Sequence, residues 1–150
     1  MSAAPEPAAV TRFKEAHSAA GGGGRIVILP DSVHTAVLAA EALGCEVGAI
    51  ANSLLFDAGG TPVLILTSGA HRVDTAATAE RIGVPALKRA SPEFVRQHTG
   101  QVIGGVSPLG HPAPVPTWLD VELSLALKGS SVATPCWAAF SRRHISSAAV

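Results

Sequence analysis

The segment GGVSPLGHPAPVP, residues 104–116, constrains the fold most, because three glycines and four prolines occupy thirteen positions. Proline fixes φ and removes a backbone donor, so neither a helix interior nor a central strand accommodates the segment. Paired glycines allow positive φ or the close approach of a ligand to the backbone. The segment is therefore predicted to be a loop. It is either a surface turn before a strand or a cradle that directs main-chain N–H groups at an ester carbonyl.

The sequence around this loop predicts both helices and strands. Helical composition and capping residues favour four helices, at 8–19, 36–43, 74–82 and 92–98. Short apolar or β-branched runs predict strands at 25–29, 53–56, 63–66, 86–89 and 115–121. Residues 57–62 are typical of a hairpin connection. Because helices and strands alternate irregularly, we expect an α+β domain with a mixed sheet.

The length and hydropathy of the chain fit one globular domain. Its 150 residues are 47% hydrophobic, which is enough apolar surface to form a core. We expect a single domain over 1–150, with a helix and a glycine hinge in 1–24 and an atypical tail over 130–150. The apolar runs are far shorter than a membrane span and the first residues do not resemble a signal peptide, so a cytoplasmic location is predicted.

The formal net charge is zero, but the charge is unevenly distributed along the chain. Residues 1–80 hold four basic and eight acidic side chains, whereas residues 81–150 hold seven basic and three acidic ones. Such a chain can present a basic surface to phosphates, although a solvated surface without a partner is the more common reason for such a distribution.

Motifs for nucleotide phosphates, metals and activated nucleophiles are absent from the sequence. There is no P-loop, GxGxxG after a strand, HExxH, CxxC or GxSxG, and the six histidines lack metal-ligand spacing. The sequence therefore predicts neither a metal nor an organic cofactor.

Three stretches together resemble the YbaK-like family of aminoacyl-tRNA deacylases, which is related to the editing domain inserted in bacterial prolyl-tRNA synthetases. They are IANSLLF at 50–56, RVDTAATAERIG at 72–83 and TGQVIGGVSPLGHPAPVPTWLD at 99–120. The likeness runs in order from about Arg25 to Asp120. The GxxxP element from Gly104 to Pro108 is its most specific part. The resemblance implies a mixed, barrel-like sheet flanked by helices.

The same resemblance implies a trans-editing hydrolase that needs no cofactor and cleaves the ester of a mischarged tRNA. Its partner would be the 3′-terminal aminoacyl-adenosine of tRNA, with no role for DNA or a membrane; the oligomeric state is left open. Family members remove small amino acids of the alanine, cysteine or serine type. A second hydrolytic site is needed because one methylene provides only about 1–3 kcal/mol of discrimination in a synthetase pocket.

Residue roles follow from the matching positions. The resemblance implies that Gly104 and Gly105 cradle the scissile ester and that the ribose hydroxyl of the substrate activates the water. Substrate contacts are expected from Val106, Ser107, Pro108 and His111. We interpret Ser107 as shaping the loop, because no triad partner is near it. His111 borders the tRNA end or makes a structural hydrogen bond, and Asp120 is interpreted as structural.

Asn52 departs from the family pattern. It is predicted to be a catalytic position, but the family places a lysine there, directly before the apolar strand. An amide donates a hydrogen bond without the charge that roughly doubles its strength. Either another cation replaces the lysine, or hydrolysis is slow or specific for an unusual substrate, or the protein binds without cleaving. Asn52 is also an ordinary residue for the start of a strand.

The tail is a second departure, because it lacks glycine after Gly129 and is rich in serine and alanine. The equivalent segment walls the amino-acid pocket in relatives, so specificity does not transfer. Arg142, Arg143 and His144 either reach phosphates or form a disordered basic end. Two other functions therefore stay open, a catalytically weak tRNA-binding or regulatory relative and a hydrolase of small-metabolite esters.

Overall fold

A hairpin of two long antiparallel strands is the centre of the fold. The computed structural model describes residues 8–21, 26–27, 29, 33, 35–103, 105–123 and 136–138. Strand β1 (Ile50–Ala58) pairs with β2 (Thr61–Ser68) in an unbroken register from Ala51–Ser68 to Ala58–Thr61. The turn is Gly59-Gly60, both with positive φ, and the Gly60 amide donates to Asp57 Oδ1 at 2.6 Å. Two consecutive positive φ angles fit the right-handed twist of a tight hairpin.

Three short strands extend the hairpin into a mixed sheet. β4 (Thr117–Leu119) runs parallel to β2, and β3 (Lys88–Arg89) runs antiparallel to β1. β5 (Cys136–Ala138) runs parallel to the start of β1. The resulting order is β3–β1–β2–β4, with β5 beside β3 on the outer edge of β1. Across the described ranges the sheet is open, because β4 forms one edge and β3 and β5 form the other.

The helices begin and end where the local sequence predicts. They are α1 (Ala8–Ala19), α2 (Ala36–Leu43), α3 (Thr75–Ile82) and α4 (Pro92–Thr99), and a 3-10 turn covers Val47–Ala49. Thr35, Asp74 and Ser91 each accept a hydrogen bond from a first-turn amide of α2, α3 and α4, respectively. Such caps satisfy donors that have no partner within the helix.

Each face of the sheet has its own core. On one face Ala51, Leu55, Leu64 and Leu66 pack with Val95 of α4 and with Val106 and Leu123. On the other face Ile50 packs with α2, while Ala58, Val63 and Ile65 pack with Ala79 of α3 and Leu87. Helices therefore cover both faces, which confirms the prediction of a mixed sheet in an α+β domain.

The strand predicted at 25–29 is wrong for the residues described. Ile26, Val27 and Leu29 are not in a strand, and Leu29 packs as an irregular segment on the core beside α2. Their apolar character reflects burial, and periodicity alone cannot separate that from a short buried strand. Gly22–Gly24 of the predicted hinge lie outside the described residues. So does all of the predicted tail at 130–150 except β5.

Candidate active site

A cleft of about 330 Å³ opens beside the outer edge of β1. Its floor is Ser53–Phe56, and its walls come from β3, α4 and the segment that leads into the Gly–Pro loop. The other lining residues are Arg89, Ala90, Val95, Ile103 and Val106. Among these described residues Arg89 alone carries a charge. The volume lies in the range of sites for small molecules, and the lining is mostly apolar, as in such sites.

A buried glutamine gives the Gly–Pro loop its shape. Gln101 follows Gly100, the glycine that ends α4, and accepts a hydrogen bond from the Ser107 amide at 2.5 Å through Oε1. Its Nε2 donates to Ser107 Oγ at 2.7 Å, and that hydroxyl donates to the Leu109 carbonyl at 2.6 Å. Because Gln101 and Ser107 are both buried, these bonds are shielded from water and fix the loop.

This network engages two of the loop amides that the sequence predicts to face a ligand. The Ser107 amide is held by Gln101, and the Gly105 amide donates to the Val102 carbonyl at 2.9 Å. Pro108 has no N–H, and Gly104 lies outside the described residues. Among the described loop residues, six amides have no hydrogen-bond acceptor in the protein, those of Val106, Leu109, Gly110, His111, Ala113 and Val115. Of these residues, Val106 lines the cleft.

His111 is tied to the loop itself. Its Nε2 donates to the Ser107 carbonyl at 2.8 Å, which is the structural hydrogen bond that the sequence left as one alternative. Next to it, Gly110 has φ of +83° and lies under α1, where an added Cβ would be 3.6 Å from the Arg12 carbonyl oxygen. Helix α1, through Arg12 and Ala16, therefore belongs to the support of the loop.

Asn52 is next to the cleft but outside its lining. Successive side chains of a strand alternate between faces, so Asn52 shares the face of Ile50 while Ser53 shares that of Val106. The Oδ1 atom of Asn52 is buried, and it has no hydrogen-bond partner among the described residues. The structure therefore brings Val106 to the cleft and leaves the Asn52 side chain on the opposite face.

Asp120 joins the ends of β2 and β4. Its Oδ2 accepts from the Ser68 amide at 3.1 Å, from Thr67 Oγ1 at 3.2 Å and from His71 Nδ1 at 2.8 Å. Its Oδ1 accepts from the Glu122 amide at 3.0 Å. Thr67 is paired directly with Asn52, so this polar cluster lies at the same end of the sheet as Asn52.

In this cluster, His71 and Asp120 each shift the pKa of the other. The hydrogen bond to Asp120, reinforced by its negative charge, raises the pKa of His71. Burial by itself would raise the pKa of Asp120. Hydrogen bonds from the Glu122 amide, from His71 and from the Ser68 amide outweigh that effect and lower it. His71 is about half exposed, so its other ring nitrogen faces solvent.

Two further observations concern metals and membranes. Within the described ranges, histidine, cysteine and acidic side chains form no group of three that could bind a metal ion. None of the helices in those ranges is both long and apolar enough to cross a membrane.

Sequence reasoning missed Ser53, Arg89 and Gln101. Ser53 and Arg89 become neighbours only through the pairing of β1 with β3, which no local pattern encodes. The sequence does contain a signal for Gln101. It is a polar residue between a helix-ending glycine and the apolar pair Val102-Ile103, and a buried polar side chain at such a position needs a hydrogen-bond partner.

Comparison with known proteins agrees with this architecture. The aminoacyl-tRNA editing domain family matches residues 30–126. The uncharacterized protein YwhH of Bacillus subtilis (strain 168) is 37% identical over 86 residues, which cover 57% of this chain and 54% of YwhH. The chain thus aligns with about half the length of that relative.

Solved structures share the fold. The crystal structure of a candidate trans-editing enzyme for prolyl-tRNA synthetase has a TM-score of 0.69 and 39% identity, over 79% of this chain and 76% of that one. A scaffold from computational epitope grafting has a TM-score of 0.75 and 31% identity, over 95% and 88% of the two chains. The hypothetical protein APE2540 has a TM-score of 0.70 over 91% and 87% of the two chains, but its identity of 22% supports the fold alone.

Proposed function

Because the chain belongs to the aminoacyl-tRNA editing domain family, we propose that it is a trans-editing deacylase. It would hydrolyse the ester of a mischarged tRNA that carries a small amino acid such as alanine, cysteine or serine. The observation that carries this proposal is the cleft between the edge of β1 and Val106, which has the size of a small-molecule site. A substrate of this kind is found in the cytoplasm, where the protein would act.

The lining of the cleft supports a small acyl group. Leu55, Val95 and Val106 are buried apolar side chains, and Ala90 adds a short one. An apolar wall favours a short aliphatic or thiol side chain and disfavours a charged one, because an unpaired charge loses its hydration there. Arg89 is exposed beside this wall, where its guanidinium is available to a phosphate of the tRNA end.

The catalytic contribution of the loop is proposed to be the Val106 amide. A fixed N–H next to the scissile ester stabilises the negative charge that develops on the carbonyl oxygen during attack by water. The network of Gln101 and Ser107 keeps this amide in place. The 2′- or 3′-hydroxyl of the terminal ribose next to the ester would activate the water.

A deacylation screen tests the proposal. Purified protein is incubated with alanyl-, cysteinyl- and seryl-tRNA, and release of the amino acid is followed over time. A matched tRNA that ends in 2′-deoxyadenosine is expected to react much more slowly. Binding without release would favour the catalytically weak relative. If the protein neither binds nor deacylates aminoacyl-tRNA but cleaves small esters, the hydrolase of small-metabolite esters would be favoured. Retained activity on the deoxy substrate would exclude activation by the ribose.

Position 52 needs a separate test. We expect Asn52→Lys to raise the single-turnover rate on alanyl-tRNA, because an ammonium group at the start of β1 restores the charge that the family has there. Because the Asn52 side chain lies on the face of β1 opposite Val106, a higher rate would show that the longer lysine side chain reaches the substrate around the edge of the strand. An unchanged or lower rate, with an unchanged unfolding temperature, would remove position 52 from the catalytic site.

A further inference from the structure

We propose that the edge of β1 at Ser53–Leu55 binds the aminoacyl group of the substrate in the way that a sheet binds one residue of a parallel strand. This inference rests on the proposed deacylase function and adds how the substrate is recognised. It makes the main chain of β1, rather than the Gly–Pro loop, the principal ligand for the amino acid.

The edge at Ser53–Leu55 lies between two partner strands. β5 pairs in parallel with Ile50–Asn52, and β3 pairs antiparallel with Phe56–Asp57. Among the residues that the structure describes, no strand pairs with the segment between them on this side. The same segment forms the floor of the cleft. Within the described residues, the segment without a partner strand is three residues long and borders the cleft.

Backbone groups on this edge point into the opening. The Gly69 amide donates to the Ile50 carbonyl at 2.7 Å, so even-numbered residues of β1 direct their N–H and C=O groups toward β2. Odd-numbered residues direct theirs to the outer edge, because these groups alternate along a strand. The Ser53 carbonyl and the Leu55 amide are therefore the groups on that edge that face the opening.

An aminoacyl ester is complementary to these two groups. In a parallel ladder, one residue donates its N–H to the carbonyl of residue i and accepts, through its own carbonyl, from the amide of residue i+2. The α-ammonium and ester carbonyl of an aminoacyl group are one such donor and acceptor, joined through one carbon. Bound between Ser53 and Leu55, the group would continue the parallel pairing that β5 begins.

This pairing would also activate the ester. The hydrogen bond from the Leu55 amide ends on the ester carbonyl oxygen, which gains negative charge when water attacks. Val106 lines the same cleft, so its amide is a second donor for that oxygen. Two amides from different elements would then replace the several loop amides that the Gly–Pro composition predicts.

The test removes the Leu55 N–H alone. Leu55→leucic acid, introduced by unnatural amino-acid incorporation, replaces the amide with an ester and keeps the side chain. We expect kcat/KM on alanyl-tRNA to fall by about tenfold or more. Leu64→leucic acid is the matched control, because the Leu64 amide donates to the Pro116 carbonyl at 2.9 Å, away from the cleft. The control should lower the unfolding temperature and keep kcat/KM. Equal rates for the two variants would overturn the proposal.

A change in the substrate tests the Ser53 carbonyl. Propionyl-tRNA lacks the ammonium group of alanyl-tRNA and is otherwise the same size. After each rate is divided by the spontaneous hydrolysis rate of its own ester, the wild-type protein should accelerate propionyl-tRNA about tenfold less or worse. Equal accelerations would show that the ammonium is not recognised. If the wild-type protein cleaves none of the aminoacyl-tRNAs, the proposed function is wrong.

A binding measurement separates the edge from the chemistry. The hydrolysis-resistant analogue 3′-alanylamino-3′-deoxyadenosine is titrated until the resonances of cleft residues stop shifting, and hydrogen exchange of single amides is then measured. The Leu55 amide should become protected, whereas the Leu64 amide should not change. An unprotected Leu55 amide at saturation, or no shift in any cleft resonance, would overturn the proposed edge site even if deacylation occurs.

Discussion

One neutral side chain, Gln101, holds the loop at the cleft. It is 7% exposed and bonds both the amide and the hydroxyl of Ser107. Gln101→Leu would leave the Ser107 amide buried without an acceptor, so we expect a loss of about 2 kcal/mol in the free energy of unfolding. Urea denaturation measures this loss. Gln97→Leu on the exposed face of α4 is the control, with an expected change within about 0.5 kcal/mol. Equal losses would show that the Gln101 bonds contribute little.

His71 and Asp120 make stability depend on pH in opposite directions. The pKa of His71 is raised, so its contribution is complete below its unfolded value, near 6.5, and is lost as pH rises through the folded pKa. The pKa of Asp120 is lowered, so its contribution is complete above its unfolded value, near 3.9, and is lost as pH falls through the folded pKa. The pair therefore stabilises the fold most between about pH 4 and pH 6.5.

The corresponding variant is His71→Asn, which keeps a donor near Asp120 and does not titrate. We expect the unfolding temperature of the wild-type protein to fall between about pH 6 and pH 8, and the fall to be smaller in the variant. Asp120→Asn, which removes the negative charge beside His71, is the comparison, and it should reduce the fall as well. The same slope in wild-type protein and His71→Asn would contradict the assignment.

Capping residues could be predicted from the sequence because a cap is a local interaction. Thr35, Asp74 and Ser91 each precede a helical stretch, and each bonds the amide three residues later. The ligands of the site could not be predicted in this way. Ser53 and Leu55 belong to the proposed site because they lie on the edge of β1 between the positions paired with β5 and those paired with β3. These pairings join residues more than thirty positions apart.

At the scale of elements, Gly69 lets the chain directly after β2 pack closely against α2 and the 3-10 turn. A Cβ at this position would lie 2.6 Å from the Val47 carbonyl oxygen and 2.9 Å from Cβ of Ala36. Gly69→Ala should therefore destabilise the protein by roughly 1–3 kcal/mol, as overpacking does. Gly48→Ala is the control, because its nearest neighbour would be 3.8 Å away. Thermal unfolding of the two variants compares them, and a smaller loss for Gly69→Ala would contradict the close packing.

Strand lengths show where sequence reasoning stops. The hairpin was predicted at 53–56 and 63–66, but β1 and β2 extend over Ile50–Ala58 and Thr61–Ser68. Polar residues such as Asn52 and Asp57 interrupt the apolar runs, yet the backbone continues to pair. The strand predicted over 115–121 forms pairs only at Thr117–Leu119. Before it, Pro116 cannot donate to a ladder, and after it residues 121–123 are helical.

At the scale of the whole molecule, the excess of basic residues after position 80 favours binding to phosphates. Lys88 and Arg96 are exposed on β3 and α4, the elements that wall the cleft. We expect tRNA affinity to fall steeply with salt, and Lys88→Gln and Arg96→Gln each to reduce the slope of log K against log[salt] by about one. Arg72→Gln, before α3, should leave the slope nearly unchanged. If the slope of log K against log[salt] is the same for all three variants, the tRNA does not bind at the face formed by β3 and α4.

The contact between α1 and Gly110 has a consequence for how the protein is made. Helix α1 is synthesised about a hundred residues before the turn that receives it. Until then the face of α1 at Arg12 and Ala16 has no turn to pack against. Closing such a distant contact is slow, so the loop beside the cleft should be among the last parts of the domain to acquire its working shape.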